Sequence, residues 1–366
     1  MIRILHIGMT PNYGGLESFI MNVYRNVDRK KIQFDFLAPV NQEIAFEDEI
    51  IKMGGRVFHF IEDRKSGNRI IKPRLNFFKK TNYQIVHCHR THLGDLDYLW
   101  AAKIGGVPIR IIHAHSTGYI NTHHRLATII ERINRIFLSS VSTNLLACSQ
   151  DAGEWMFTNN NFKVIKNAIN LNRFRFNEHK REQIREKFNI ENDEVLLGHI
   201  GTFYEVKNQQ FLLEVLKELK YSQKKYKLML VGDGKLKTHI MKKVTEYDLE
   251  KSVIFTGMQQ NVEDFMNAFD IFLFPSKFEG LGTSVIEAQA NGLPVLISDR
   301  LPQEVNIAEN LYRLPIINSE KWVKLIERVS LKRMYNKELL RKNGYEIKLM
   351  SQELINYYTK LLGNIE

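Results

Sequence analysis

The chain has 366 residues, 44% hydrophobic and 25% charged, too long for one ordinary core and suited to two domains of ~150–200 residues. No run reaches the ~18 apolar residues of a membrane span, and two cysteines, Cys88 and Cys148, make no disulfide framework, so a reducing cytoplasm is expected. Of the net charge of +11, residues 1–170 hold +8 (22 Lys/Arg, 14 Asp/Glu) and residues 171–366 hold +3 (30 against 27). A basic first half points to an anionic partner, but no compact basic run interleaved with aromatics favours nucleic acid.

The start, "MIRILHIGMTPNYGG", alternates like a strand and has no basic segment followed by a long apolar run, so no leader peptide is expected. Strand-like runs follow at 2–8, 33–38, 56–61, 83–88, 109–114 and 143–149. Helical periodicity lies between them, as at 15–27 and 124–139. That alternation predicts a parallel, doubly wound α/β sheet. The pattern pauses over the polar, basic stretch 164–182 and restarts with runs at 194–201, 226–232, 252–257, 270–275 and 293–298. Two Rossmann-like domains facing across a cleft are therefore expected, with boundaries at 1–168 and 169–346. The tail from about 319 is helical and lysine-rich.

Ligands of open α/β sheets bind beyond the carboxyl ends of the strands. After the first strand, Gly14 and Gly15 precede a helix, where bare N–H groups can meet an anion. The dinucleotide fingerprint G-x-G-x-x-G is absent there, which disfavours a nicotinamide or flavin enzyme. Seven of the twelve histidines fall within 38 residues: His87, His89, His92, His113, His115, His123 and His124. A metal site is disfavoured, because the pairs sit at strand ends and no carboxylate ligand follows at a recognisable spacing. His115 and His89 are expected to project as hydrogen-bonding groups, and His87 and His113 to be structural. In the second half, Lys207 stands at a helix start, a poor place for a cation unless an anion binds there too. Gly232 and Gly234 mark another strand-to-helix turn.

The segment "FEGLGTSVIEAQANGLPVLISD" (278–299) carries Glu279 and Glu287, eight residues apart, around a Gly-rich loop. Locally, Ser284-x-x-Glu287 is also a capping-box pattern. The segment resembles the E-x7-E signature of retaining glycosyltransferases of GT-B fold, family 4. In order along the chain, "MTPNYGGLESF", "IIHAHSTG", "LLACSQDAGEWMF", "VIKNAINLNRF" and "GTFYEVKN" resemble that family too, in its bacterial exopolysaccharide and capsule branch.

The resemblance implies transfer of a hexose or N-acetylhexosamine from a nucleoside-diphosphate sugar, a UDP-sugar by preference. The acceptor would be a saccharide, lipid-pyrophosphate-linked in this branch, and neither metal nor organic cofactor would be needed. It implies donor binding by the second domain and acceptor binding by the first, onto which the final helix, about 347–366, would pack. By the same resemblance Lys207 neutralises the diphosphate, with the amides of Gly280, Leu281, Gly282 and Thr283 and of Gly14 and Gly15, and with Gly232, around the donor. Glu279 attends the sugar, Glu287 the ribose hydroxyls, and His115 lies near donor sugar and acceptor. One position departs: Thr202 stands where many relatives have a second cation, an arginine. A GT-B nucleoside-diphosphate-sugar epimerase and a non-catalytic sugar-nucleotide-binding subunit are the alternatives. The basic first half and the segment 121–137, apolar on one face with Arg125, Arg132 and Arg135 elsewhere, suit peripheral contact with an anionic membrane.

Overall fold

The computed structural model describes residues 1–39, 41–59, 71–118, 125–158 and 160–364, except the side chains of 71–72 and 125–127. His123, His124 and the side chain of Arg125 fall outside the described set. The chain forms two compact units: Met1–Ala168 with the segment from Ile347 onward, and Ile169–Glu346.

The first unit holds strands Ile2–Ile7 (β1), Ile32–Leu37 (β2), Val57–Phe58 (β3), Ile85–Arg90 (β4), Ile109–Ala114 (β5), Asn144–Ala147 (β6) and Lys163–Val164 (β7). They make one parallel sheet in the order β3-β2-β1-β4-β5-β6-β7. Helices cover both faces, so the strands are buried on both sides: every residue of β2 is buried, Gln33 and Asp35 included, and Asp35 is paired with Arg3 of β1 at 2.6 Å. Ile4, Phe34, Ile85, Ile111 and Leu146, from neighbouring strands, share one core with Met350, Leu354 and Tyr358 of the helix Ile347–Gly363. The Tyr358 hydroxyl lies 2.6 Å from His87 Nδ1, and Lys163 pairs with Glu353 at 2.8 Å. The last helix is thereby part of the first unit's core.

The second unit holds Glu194–Ile200 (β8), Lys225–Val231 (β9), Val253–Gly257 (β10), Ile271–Phe274 (β11), Val295–Ser298 (β12) and Leu311–Leu314 (β13), in the parallel order β10-β9-β8-β11-β12-β13. Leu197, Leu228, Ile271 and Leu296 pack with Phe211 and Trp322 from the covering helices. In both sheets the strand order reverses once, at β1/β4 and at β8/β11. Those reversals are where crevices open beyond the carboxyl ends.

Sequence and structure differ at the edges. β7 and β13 are two and four residues long, too short for a period-2 pattern, whereas β3 falls within the expected run 56–61. β7 falls at the start of the polar pause. β4 runs two residues beyond its apolar run, to Arg90, which puts His87 and His89 on one strand face. Tyr358→Phe should leave His87 Nδ1 without a partner and cost the first unit about 1–3 kcal/mol. Hydrogen exchange should then quicken in 347–363 and stay unchanged in 169–346.

Candidate active site

At the reversal of the second sheet, residues 201–208 follow β8 and residues 275–282 follow β11. The two loops are stitched together: the Lys277 N–H donates to the Val206 carbonyl at 2.8 Å, and the Asn208 amide donates to the Pro275 carbonyl at 3.3 Å. Lys207 ends a 3-10 turn, Glu205–Lys207, before the helix Gln209–Leu219. Its Nζ lies 2.6 Å from Glu279 Oε1 and 4.8 Å from the centre of the Phe274 ring. The two side chains are only 16% and 14% exposed, so this ion pair is largely removed from water. Two residues 72 apart, each singled out in the sequence, meet here.

Gly282 initiates the helix Thr283–Asn291 with φ +87°, a left-handed conformation open to glycine. Leu281 is buried. The first amides of that helix have no intrahelical acceptor, which makes this end a receptor for negative charge. Because the helix starts at Thr283, Ser284 already lies within it, and no side chain caps it. The capping-box reading of Ser284 and Glu287 therefore does not hold. Glu287 instead sits in the second turn, partly buried, with no hydrogen bond to its carboxyl group among the described residues. Burial pushes its pKa up to about 7, against a smaller lowering by Arg173. Arg173 is itself held by Glu263 through two 2.8 Å bonds. Sequence reading did not single out Arg173, Glu263 or Phe274; they become visible only once the fold brings distant segments together.

Gly232 and Gly234 have φ of +142° and +153°, and a Cβ on Gly232 would stand 2.1 Å from the Gly201 carbonyl oxygen. The Gly232 N–H is bound to the Gly257 carbonyl at 2.9 Å. Glycine at 232 is thus explained by the close approach of the 201–208 loop. Thr202 accepts through its carbonyl from the Gln209 amide at 3.0 Å.

In the first unit, the loop after β1 closes on Glu17. Its carboxylate accepts from the Thr10 N–H (3.0 Å), the Thr10 hydroxyl (2.7 Å) and the Gly14 N–H (3.2 Å). The Gly14 amide is therefore committed within the chain. That of Gly15, the first residue of the helix Gly15–Asn26, has no intrahelical acceptor. His115 follows β5 and is partly exposed, whereas His89 is buried, 1% exposed. The expectation that His89 projects outward is corrected: β4 continues through it and carries it under neighbouring rings. His6, His87 and His89, and His89, His113 and His115, bring ring nitrogens within 4.8 Å of one another. Burial lowers the pKa of every one of these histidines, to about 3 for His6 and His115.

Glu287 makes stability depend on pH. Its folded pKa of about 7 lies above the 4.5 of an unperturbed glutamate, so the native state holds this proton more tightly than the unfolded chain. The associated stability is present below about pH 4.5 and is lost as pH rises through 7, by roughly 3 kcal/mol. Glu287→Gln should remove that loss. In urea unfolding, the variant should gain on the parent protein between pH 5 and pH 8; a constant difference would contradict the assignment.

Comparison with known proteins is consistent along the whole chain. Residues 13–173 match the model "Glycosyltransferase Family 4", and residues 180–347 match "Glycosyl transferases group 1". EpsF of Bacillus subtilis (strain 168), which carries a glycosyltransferase name, is 33% identical over 97% of this chain and 96% of its own. An Escherichia coli UDP-Gal:alpha-D-GlcNAc-diphosphoundecaprenol alpha-1,3-galactosyltransferase is 22% identical over 81% of this chain and 79% of its own. The crystal structure of Anabaena HepE in complex with UDP-glucose superposes with a TM-score of 0.77 at 15% identity, covering 100% of this chain and 99% of that one. The two parallel-sheet units are those of the GT-B fold, and the chain belongs to the group 1, family 4 glycosyltransferases.

Proposed function

We propose that the protein transfers a hexose or N-acetylhexosamine from a UDP-sugar to a lipid-diphosphate-linked saccharide, with retention of configuration, in surface-polysaccharide assembly. The observation that carries this reading is the Lys207–Glu279 pair at 2.6 Å, at the reversal of the second sheet, with the Glu287 carboxyl in the helix that follows making no hydrogen bond among the described residues. In transfer, the bond from the anomeric carbon to the β-phosphate oxygen breaks and a bond to the acceptor oxygen forms on the same face. The acceptor proton leaves on the diphosphate. Negative charge grows on the departing phosphate, and Lys207 with the amides of residues 280–283 is suited to stabilise it without a metal ion. An arriving diphosphate draws Lys207 away from Glu279, freeing that carboxylate for the sugar hydroxyls. Glu287 has both oxygens available for two ribose hydroxyls. The first unit is assigned the acceptor, with His115 as its hydrogen-bonding group.

The lipid-linked acceptor draws support from the helix Arg125–Val141. Ile129, Ile130, Ile133, Ile136 and Phe137 recur along one side and are 41–74% exposed. An apolar stripe of this kind, with the exposed Arg132 on the same helix, suits an amphipathic helix lying in an anionic lipid surface. Among the described residues no helix is long and apolar enough to cross a membrane.

The direct test is a panel of UDP-sugars with a lipid-diphosphate saccharide, scored by product mass and by the anomeric coupling of the new linkage. Transfer should survive a chelator, and Lys207→Ala or Glu279→Ala should each lower turnover by about 10²–10³. An altered sugar formed from donor alone would identify an epimerase, and donor binding without turnover would identify a non-catalytic subunit. Thr202→Arg should tighten donor binding, since it restores a cation beside the diphosphate; unchanged affinity would show that Thr202 leaves no deficit. Sedimentation with phosphatidylglycerol vesicles should carry the protein down at low salt, and Ile133→Glu with Ile136→Glu should abolish this. Failure of the parent protein to sediment would remove the membrane reading.

A further inference from the structure

Histidines from three adjacent strands lie on one face of the first sheet. The register sets His6 beside His87 and His89 beside His113, and His115 follows two residues after His113. Within this cluster one line of bonds runs through three rings. His6 Nδ1 is 3.0 Å from His89 Nε2, and His89 Nδ1 is 2.9 Å from His115 Nε2. The two terminal atoms, His6 Nε2 and His115 Nδ1, have no partner among the described residues.

Burial keeps all three imidazoles neutral. A neutral imidazole has one N–H and one lone pair, so both N–H···N bonds must point the same way. If they point inward, the last proton sits on His6 Nε2, on a ring that is 2% exposed and packed against Phe34 and Phe36. If they point outward, the last proton sits on His115 Nδ1, and only a lone pair is left in the core. That nitrogen is shielded in this structure as well, but its ring is partly exposed beyond β5, where water or a ligand can supply an acceptor, whereas the His6 ring is sealed in the core. A buried N–H without an acceptor costs about 1–3 kcal/mol, and orphaned donors are rarer than under-used acceptors. The outward arrangement wins.

We propose that His6 and His89 are positioning residues that lock His115 in its Nδ1–H tautomer, so that it meets substrate only as a neutral hydrogen-bond donor. His115 then cannot take the acceptor's proton; its N–H stabilises an oxygen gaining negative charge, and the proton leaves with the diphosphate. This rests on the reading that His115 contacts substrate.

The test is long-range ¹H–¹⁵N correlation on protein labelled with ¹⁵N-histidine, with and without UDP-glucose, the His115 signals being assigned by their loss in His115→Ala. The expected spectrum shows a protonated Nδ1 and an unprotonated Nε2 that do not titrate between pH 6 and 8. His89→Leu should shift His115 toward the other tautomer and lower kcat about tenfold, one hydrogen bond's worth, with donor KM within about twofold. His89→Asn, whose Nδ2–H falls near the lost Nδ1–H, should restore both. An Nε2–H tautomer in the parent protein, or titration in that range, overturns the proposal even if the variants do not fold. If the tautomer is as expected but His115→Ala keeps full turnover, the substrate-contact reading fails and the lock stands without a catalytic use.

Discussion

Parallel strands covered by helices on both faces can hold a charge along their length only where a partner meets it. β2, β11 and β12 are buried at every residue, and the one carboxylate among them, Asp35 of β2, is tied to Arg3 of β1 at 2.6 Å. Ionisable groups left to meet a ligand emerge where strands end, and at the carboxyl ends they are joined by the exposed amides of the following helices. That constraint gathers Lys207, Glu279 and Glu287 at one end of the second sheet and Glu17 and His115 at one end of the first. The site is a consequence of where this architecture tolerates polarity.

Groups gathered in this way are only partly solvated, and their unmet needs define the chemistry. Lys207 and Glu279 satisfy each other, which avoids leaving either buried and unpaired, a cost of several kcal/mol. Each is then free to change partner when a ligand brings charges and hydroxyls of its own. Glu287 has no such substitute, so it holds its proton to about pH 7. The histidine line of the first unit is satisfied except at its two ends, and only one of those belongs to a partly exposed ring. Glu17 shows the opposite case: Thr10 and Gly14 satisfy it fully, and its role is to shape the loop.

Much of this was legible in the sequence, for definite reasons. Long apolar runs such as those around Ile85, Leu228 and Ile271 have no other reading than buried parallel strands once helices alternate with them. The E-x7-E segment and Lys207 were identifiable because their spacing matches a family pattern. The two-residue β7 and four-residue β13 were not, since too few residues repeat. The extension of β4 through His89 was hidden because histidines interrupt the hydrophobic run. Arg173, Glu263 and Phe274 were missed because their proximity to Glu287 or Lys207 is made by topology across 24 to 114 residues. The capping pattern at Ser284 was plausible locally and failed because Gly282 starts the helix two residues earlier.

If the second unit binds a nucleotide as proposed, Glu287, whose pKa burial raises to about 7, meets the ribose largely protonated at pH 6.5. Hydrogen bonds from the ribose hydroxyls favour the ionised carboxylate, so donor binding should expel the proton. Calorimetry of UDP-glucose binding at pH 6.5, in buffers of different ionisation enthalpy, measures this directly. Most of one proton should be released per nucleotide bound, and none in Glu287→Gln. Binding by the parent protein with no proton exchanged would overturn the ribose role of Glu287.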